Sequence, residues 1–372
     1  MRVIIERAAL LKSLNHVQSV VERRNTIPIL SNVLIQADAG TIRLTATDLD
    51  LEIVESVAAD VAQPGATTVP AHMMYDIVRK LPDGAQLELV QGPDEGRLSV
   101  FSGRSRFSLQ ALPPQDFPDL TAGELTHRFE VPAKELKALI DSTRFAVSTE
   151  ETRYYLNGIY LHDVATDPAP VLRAVATDGH RLAQAQVECP QGAQGMPGVI
   201  IPRKTVLELT KLVEDAEAAV EVALSAAKIR FALDGLVLTS KLIDGTFPDY
   251  ERVIPRNNDK TMEVDTRLFA QAVDRVSTIS SEKGRAVKLN VGEDRLVLSV
   301  NNPDSGSAEE ELAVSYRSEP IDIGFNSRYL LDIASQLKGD SAAFQFADSG
   351  SPTVIRDTAD ERALYVLMPM RV

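Results

Sequence analysis

The chain has 372 residues, a formal net charge of −14, 44% apolar and 25% charged residues, and a single cysteine, Cys189. That length exceeds one ordinary core and allows two or three domains, while the composition is that of a folded globular protein without a membrane-spanning run or a signal-peptide core at its amino terminus. One cysteine excludes an internal disulfide and fits a reducing cytoplasm, and the acidity at face value argues against nucleic acid as a partner.

In chain order, Arg2-Val3-Ile4-Ile5 reads as a strand leading into a helix with Leu10, Leu11, Leu14, Val17, Val20 and Val21 at the 3.6-residue period. Short strands are expected at 29–36 and 42–47. Thr68-Val69-Pro70 then precedes a helical run at 73–78. After a polar stretch at 121–124 the plan restarts. Phe129-Glu130-Val131-Pro132 leads into Leu136, Leu139, Ile140 and Phe145-Ala146-Val147, and Ile200-Ile201-Pro202 precedes a helix at 206–212. A second polar stretch at 255–260 is followed by Met262-Glu263-Val264-Asp265, then Leu268, Phe269, Ala272, Val273 and Val276. Ile323-Gly324-Phe325 finally precedes a helix at 329–337.

Two unrelated signatures recur at one interval. Thr47-Asp48 and Thr177-Asp178 are 130 positions apart, as are Phe117-Pro118-Asp119-Leu120 and Phe247-Pro248-Asp249-Tyr250. Leu298-Ser299-Val300-Asn301-Asn302 is a looser third echo. A threefold repeat follows, with domains expected at 1–122, 123–256 and 257–372, each holding two strand–helix–strands units in an α+β fold.

Four stretches in order, Arg153-Tyr154-Tyr155-Leu156-Asn157-Gly158, Ala176-Thr177-Asp178-Gly179-His180-Arg181-Leu182, Phe247-Pro248-Asp249-Tyr250 and the terminal Met368-Pro369-Met370-Arg371-Val372, resemble the bacterial DNA sliding clamp, the beta subunit of DNA polymerase III. The resemblance spans the whole chain. It implies three tandem clamp domains, two chains closed head to tail into a ring, helices lining the hole and sheets outside, and a replicative polymerase tethered to encircled double-stranded DNA without regard to sequence. The charge pattern agrees. The six helical stretches with their flanks sum to +9, leaving −23 for the rest, and at a Debye length of about 8 Å a phosphate senses mainly its nearest wall. By resemblance the DNA-contact residues are Arg24, Tyr154, Tyr155, Arg203 and Lys204. His72-Met73 stand after Pro70-Ala71 where many members of the family carry basic residues, and Glu150-Glu151 beside Arg153 add negative charge near the expected rim.

The resemblance also implies a partner-peptide pocket at Leu156, Thr177, Gly179, His180, Arg181, Leu182, Pro248, Arg252, Val253, Val366, Met368, Pro369, Met370 and Arg371. Apolar walls with adaptable thioethers suit short Gln/Leu/Phe segments of polymerase, clamp-loader ATPase and repair proteins. A dimer interface is expected from Arg104, Arg106 and Phe107 against Thr278, Ile279, Glu309, Glu310 and Glu311. Two other classes compete with this one. An oligomeric peptide-binding scaffold without DNA encirclement is the first. A hydrolase using Asp178, His180 and Ser240 is the second, but no Gly-x-Ser-x-Gly elbow or phosphate-binding Gly-x-x-x-x-Gly-Lys-Ser/Thr loop is present. His16, His72, His127, His162 and His180 do not have metal-ligand spacing. No catalytic residue, metal or cofactor is expected.

Overall fold

The computed structural model describes all residues except 93–95, 121–122, 215, 281–284 and 372. Part of the first expected linker and the final Val372 therefore lie outside the described residues. Six α-helices occur among the described residues: α1 (Arg7–Gln18), α2 (Ala71–Lys80), α3 (Ala133–Arg144), α4 (Arg203–Val213), α5 (Thr266–Ser277) and α6 (Ser327–Ala334). Each begins where a strand ends, and the boundary has a local cause. Pro70, Pro132 and Pro202 close the strands before α2, α3 and α4, since proline fixes φ and offers no N–H to a ladder. Asp265 caps α5 by accepting from the Leu268 N–H, and Asn326 caps α6 by accepting from those of Arg328 and Tyr329. The buried faces repeat at helical spacing, as in Leu10, Leu14 and Val17 of α1 or Phe269, Ala272, Val273 and Val276 of α5.

Several expected boundaries shift. Val20 and Val21 are buried but follow α1, where the Val20 N–H donates to the Val17 carbonyl and tightens the last turn. Residues 28–31 form a 3-10 turn because Pro28 cannot pair in a ladder, so the strand starts at Asn32. Phe145-Ala146-Val147 lie past α3, and α6 stops at Ala334 rather than 337.

The chain forms two compact units, and every strand pairing among the described residues is antiparallel. The first unit comprises residues 1–136, 190–197 and 204–242. It holds a five-stranded sheet ordered Asp60–Gln63, Arg2–Glu6, Gln86–Gln91, Arg97–Ser102, Ser105–Gln110. Its eight-stranded sheet runs His127–Pro132, Ala219–Leu224, Lys228–Leu233, Leu236–Lys241, Leu51–Ala58, Thr41–Thr47, Asn32–Asp38, Gly65–Pro70. The second unit comprises 137–189, 198–203 and 243–372. Its eight-stranded sheet runs Val199–Pro202, Gly158–Val164, Val171–Thr177, Arg181–Glu188, Ala363–Leu367, Thr353–Asp357, Ser341–Phe346, Lys260–Asp265. Its four-stranded sheet runs Gly306–Ala313, Arg295–Asn302, Ala286–Gly292, Ile321–Asn326.

Each eight-stranded sheet thus joins two sequence repeats by one antiparallel seam. In the first unit Leu236 faces Glu55 and Ser240 faces Leu51. In the second, Arg181 faces Leu367 and Ala185 faces Ala363. The outer strands Ser105–Gln110 and Gly306–Ala313 occupy the matching places in the two smaller sheets, and each is an edge.

Candidate peptide pocket and DNA-facing residues

The repeated Thr-Asp pair builds the same turn twice. In the first repeat Thr47 Oγ1 donates to the Leu51 carbonyl and accepts from the Leu49 N–H, while Asp48 Oδ1 accepts from the N–H groups of Asp50 and Leu51. In the second, Thr177 Oγ1 donates to the Arg181 carbonyl and accepts from the Gly179 N–H, while Asp178 Oδ1 accepts from His180 and Arg181. The third position of each turn is left-handed, with φ of 78° at Leu49 and 87° at Gly179. Glycine takes that conformation freely, whereas leucine is strained by it.

The second turn organises the candidate pocket. Leu156, Leu182 and Val366 are buried together with Val175, Ile200, Phe247, Tyr250, Val354 and Leu364. Beneath them Tyr160 stacks on Phe247 with ring centroids 4.9 Å apart and on His162 at 4.5 Å, and the Tyr250 hydroxyl lies 3.1 Å from His162 Nε2. Burial, then the nearby Arg173 charge, hold His162 below the ordinary histidine range, which favours its uncharged form in this stack. Val253, close in sequence to Tyr250, and Met368, close to Val366, are 53% and 42% exposed. The carboxy-terminal stretch is tied down: the Met368 N–H donates to the His180 carbonyl at 2.9 Å and that of Met370 to the Gly324 carbonyl at 2.7 Å. Pro369 and Met370 are half-buried and Arg371 exposed.

Arg181, expected at the pocket, is bonded within the chain. Its guanidinium is almost fully buried, bonded to Asp178 at 3.1 Å, Asp332 at 2.5 Å and the Phe145 carbonyl at 2.8 Å. It also lies over the rings of Phe145 and Tyr329 at 5.1 and 4.3 Å. With each guanidinium nitrogen bonded and two aromatic rings against it, it is a clasp that fixes the turn. Arg252 is the open cation, 85% exposed and bonded only to Asp249 in the pairs seen among the described residues.

The expected DNA-contact residues divide in the same way. Arg24, in the loop after α1, and Arg203, at the start of α4, are exposed and make no ion pair among the described residues. Lys204 is committed to Asp48 and Glu22. Partial burial works against its charge, but those two carboxylates more than offset it and hold Lys204 above the ordinary lysine range. Tyr154 is 53% exposed in a short 3-10 turn, edge-on to Tyr155, so it is a surface aromatic rather than a core one. Much of the positive charge counted on the helices is also spent within the chain. Arg7 bonds Asp83 and two carbonyls of α2, Lys137 and Arg144 share Asp141, and Arg275 is held by Glu310.

At the expected interface Arg104 lies in the turn before the strand Ser105–Gln110, not in the strand itself. Arg106 covers the Phe101 ring at 5.3 Å and Phe107 is half-buried. On the other edge strand Glu310 bonds Arg275 and Glu311 bonds Arg295, while Glu309 is exposed. Thr278 follows α5 as its cap, and the Ile279 carbonyl accepts from Asn302.

Models of the N-terminal, central and C-terminal domains of the DNA polymerase III beta subunit match residues 1–121, 130–249 and 251–371. The chain belongs to the DNA polymerase III beta-subunit family. It is 55% identical to the beta sliding clamp of Caulobacter vibrioides and 43% identical to that of Escherichia coli K12, with all of each chain covered. The Bartonella birtlesii sliding clamp bound to griselimycin is 57% identical and superposes with a TM-score of 0.97 over all of both chains. The C. crescentus clamp gives 0.98 at 55% identity, over 100% of this chain and 99% of that one. The fold is therefore three tandem clamp domains, as the repeat suggested.

Several members of the pocket floor lie outside the residues expected from sequence. Phe247 and Tyr250 belong to the same repeated motif as Pro248, so the sequence carries a signal for them. Asp332, 151 residues from Arg181, and Phe145, 36 residues from it, carried no local signal linking them to the clasp. Ser240 is buried and bonded to Thr205 and to the Lys241 carbonyl.

Proposed function

We propose that the chain works as a DNA sliding clamp: two copies close head to tail into a ring around double-stranded DNA, and polymerase attached to the ring stays on its template. The observation that carries this reading is the pair of left-over edges. Each seam inside the chain joins the strand after a Thr-Asp turn, or its counterpart, to the outer strand of a neighbouring repeat. The chain has two such seams and one unmatched edge of each kind, Gly306–Ala313 and Ser105–Gln110. A second copy supplies the third seam, and because the edges differ the contact is head to tail. Copying the first-unit register, in which Leu236 faces Glu55, puts Ser105 opposite the partner's counterpart of Glu310 and Arg106 opposite that of Glu309. Arg106 then meets the member of the acidic triplet that is exposed without an ion pair among the described residues.

Domain limits at 1–122, 123–256 and 257–372 agree with the interval between the repeated motifs. We further infer that the Leu182–Val366–Met368 surface takes short Gln/Leu/Phe segments from polymerase, clamp loader and repair proteins. Its apolar floor, exposed Val253 and Met368, and open Arg252 support that reading. A cytoplasmic, non-catalytic role follows from the same function. The test is retention on DNA. The protein loaded onto nicked circles should stay through gel filtration in high salt and leave when the circle is cut once. Equal loss from circular and linear DNA would make the protein an affinity binder rather than a ring. For the peptide surface, removing residues 368–372 should weaken a polymerase-derived peptide by more than about tenfold, since burial of each Leu- or Met-sized group contributes roughly 1.5–3 kcal/mol.

A further inference from the structure

The first repeat carries a groove at the place where the second repeat has its aromatic stack. About 380 Å³ in volume, it is lined by Leu34, Thr45, Glu52, Val54, Phe117 and Asp119. Strand registers fix the correspondence. Thr47 faces Glu52 as Thr177 faces Leu182, Leu34 faces Thr45 as Tyr160 faces Val175, and Gln36 faces Arg43 as His162 faces Arg173. Phe117 and Leu120 match Phe247 and Tyr250 by motif. So where the second repeat places Tyr160, His162 and Tyr250, the first places Leu34, Gln36 and Leu120. The space is left open.

The first repeat also replaces a leucine with an acid. Glu52 is only 2% exposed. Its Oε2 accepts a long hydrogen bond of 3.4 Å from the Leu120 N–H, and its Oε1 has no partner among the described residues. Burial raises its pKa above the ordinary glutamate value; the Leu120 N–H, Arg43 and Lys228 oppose that rise and Asp119 adds to it. A buried oxygen without a donor destabilises the fold, and an apolar residue at this strand position would avoid that cost, as Leu182 does. The carboxylate is intelligible if a donor enters the groove.

We propose that this groove binds a partner segment carrying a lysine-type ammonium between apolar side chains, the ammonium bonding Glu52 Oε1 and the apolar groups resting on Leu34, Val54 and Phe117. Asp119 at the mouth adds a second acidic group. An anionic segment is disfavoured because it would face both Glu52 and Asp119; of the two nearby cations, Arg43 lines the groove with its side chain exposed and Lys228 already donates to the Leu120 carbonyl at 2.8 Å. The site is separate from the Leu182–Val366–Met368 surface and does not depend on the reading given to that surface.

The test uses the full chain and two tripeptide probes, acetyl-Leu-Lys-Leu-amide and its uncharged analogue acetyl-Leu-norleucine-Leu-amide, in calorimetric titrations. Wild type should bind the lysine probe at least about tenfold more tightly, the scale of one charge-assisted hydrogen bond. Glu52→Leu should erase that preference, and Glu52→Gln, which keeps the shape, should reduce it. The preference should persist when residues 368–372 are deleted, which separates this groove from the carboxy-terminal surface. Equal binding of the two probes, no measurable binding of either, or a preference that survives in Glu52→Leu would each overturn the proposal.

Discussion

At the scale of single residues, one turn geometry gives two opposite outcomes. Gly179 and Leu49 share a left-handed φ, and for an L-residue that conformation costs roughly 1–2 kcal/mol. Gly179→Ala is expected to destabilise by at least that amount in urea unfolding, since its Cβ would also displace the Arg153 guanidinium from its bonds to Glu150 and the Asp178 carbonyl. Leu49→Gly should stabilise by less than about 1 kcal/mol, because glycine's larger unfolded-chain entropy offsets part of the released strain. A destabilised Leu49→Gly variant would show that packing of that side chain outweighs its backbone strain. Glu52 supplies a pH signature with a definite sign. Its folded pKa lies above the unfolded one, so the folded state holds its proton more tightly. That stability is fully present below the ordinary glutamate range and is lost as pH rises through the raised value. The groups facing it are Asp119, Arg43 and Lys228. Glu52→Gln should therefore match wild type near pH 4 and become the more stable protein toward pH 8, read as denaturation midpoints across that range. A constant difference at all pH values would mean that Glu52 does not titrate as described.

At the scale of elements, ion pairs inside the chain decide which cations remain available. The helices carry the net positive charge, yet Arg7, Lys137, Arg144 and Arg275 are held by neighbouring carboxylates. The same holds at the acidic edge strand, where Glu310 and Glu311 have partners of their own. Complementarity between the edges then rests mainly on Arg106 and Glu309. Arg106→Glu should move the protein from dimer toward monomer in sedimentation at low micromolar concentration, and adding Glu309→Arg should restore the dimer. Should the single variant stay dimeric, or the double variant stay monomeric, the copied seam register is wrong.

At the scale of the whole molecule, topology rather than affinity is expected to hold the protein on DNA. Replacing Arg24 and Arg203 with alanine should slow loading and lower the salt dependence of non-specific binding, by up to about one in log–log slope for each phosphate that is no longer neutralised. Lys204→Ala should change the slope less than Arg203→Ala, because Asp48 and Glu22 already neutralise Lys204. Once on closed circles, all three variants should persist as wild type does. Rapid escape from intact circles while the protein remains dimeric would place retention in the side chains instead.

The sequence alone determined whatever depends on local pattern or on spacing along the chain. The 130-residue interval exposed the repeat because each copy must bury the same faces and turn at the same points. The Thr-Asp pair announced its turn because both side chains bond to backbone within four residues. Family membership and the strand–helix plan followed from such signals. Helix ends at Gln18 and Ala334 were less legible, since apolar spacing continues past them while the backbone tightens. Only the tertiary structure decided what each polar group faces. Arg181 and Arg252 look equally available in sequence, but one is closed in by Asp332 and Tyr329 from distant segments and the other is open. Glu52 reads as one strand acid among many until its burial and its bare oxygen are seen. The physical reason is the same in both cases: the worth of a charge is set by its solvation and its partners, and both come from residues far away in the chain.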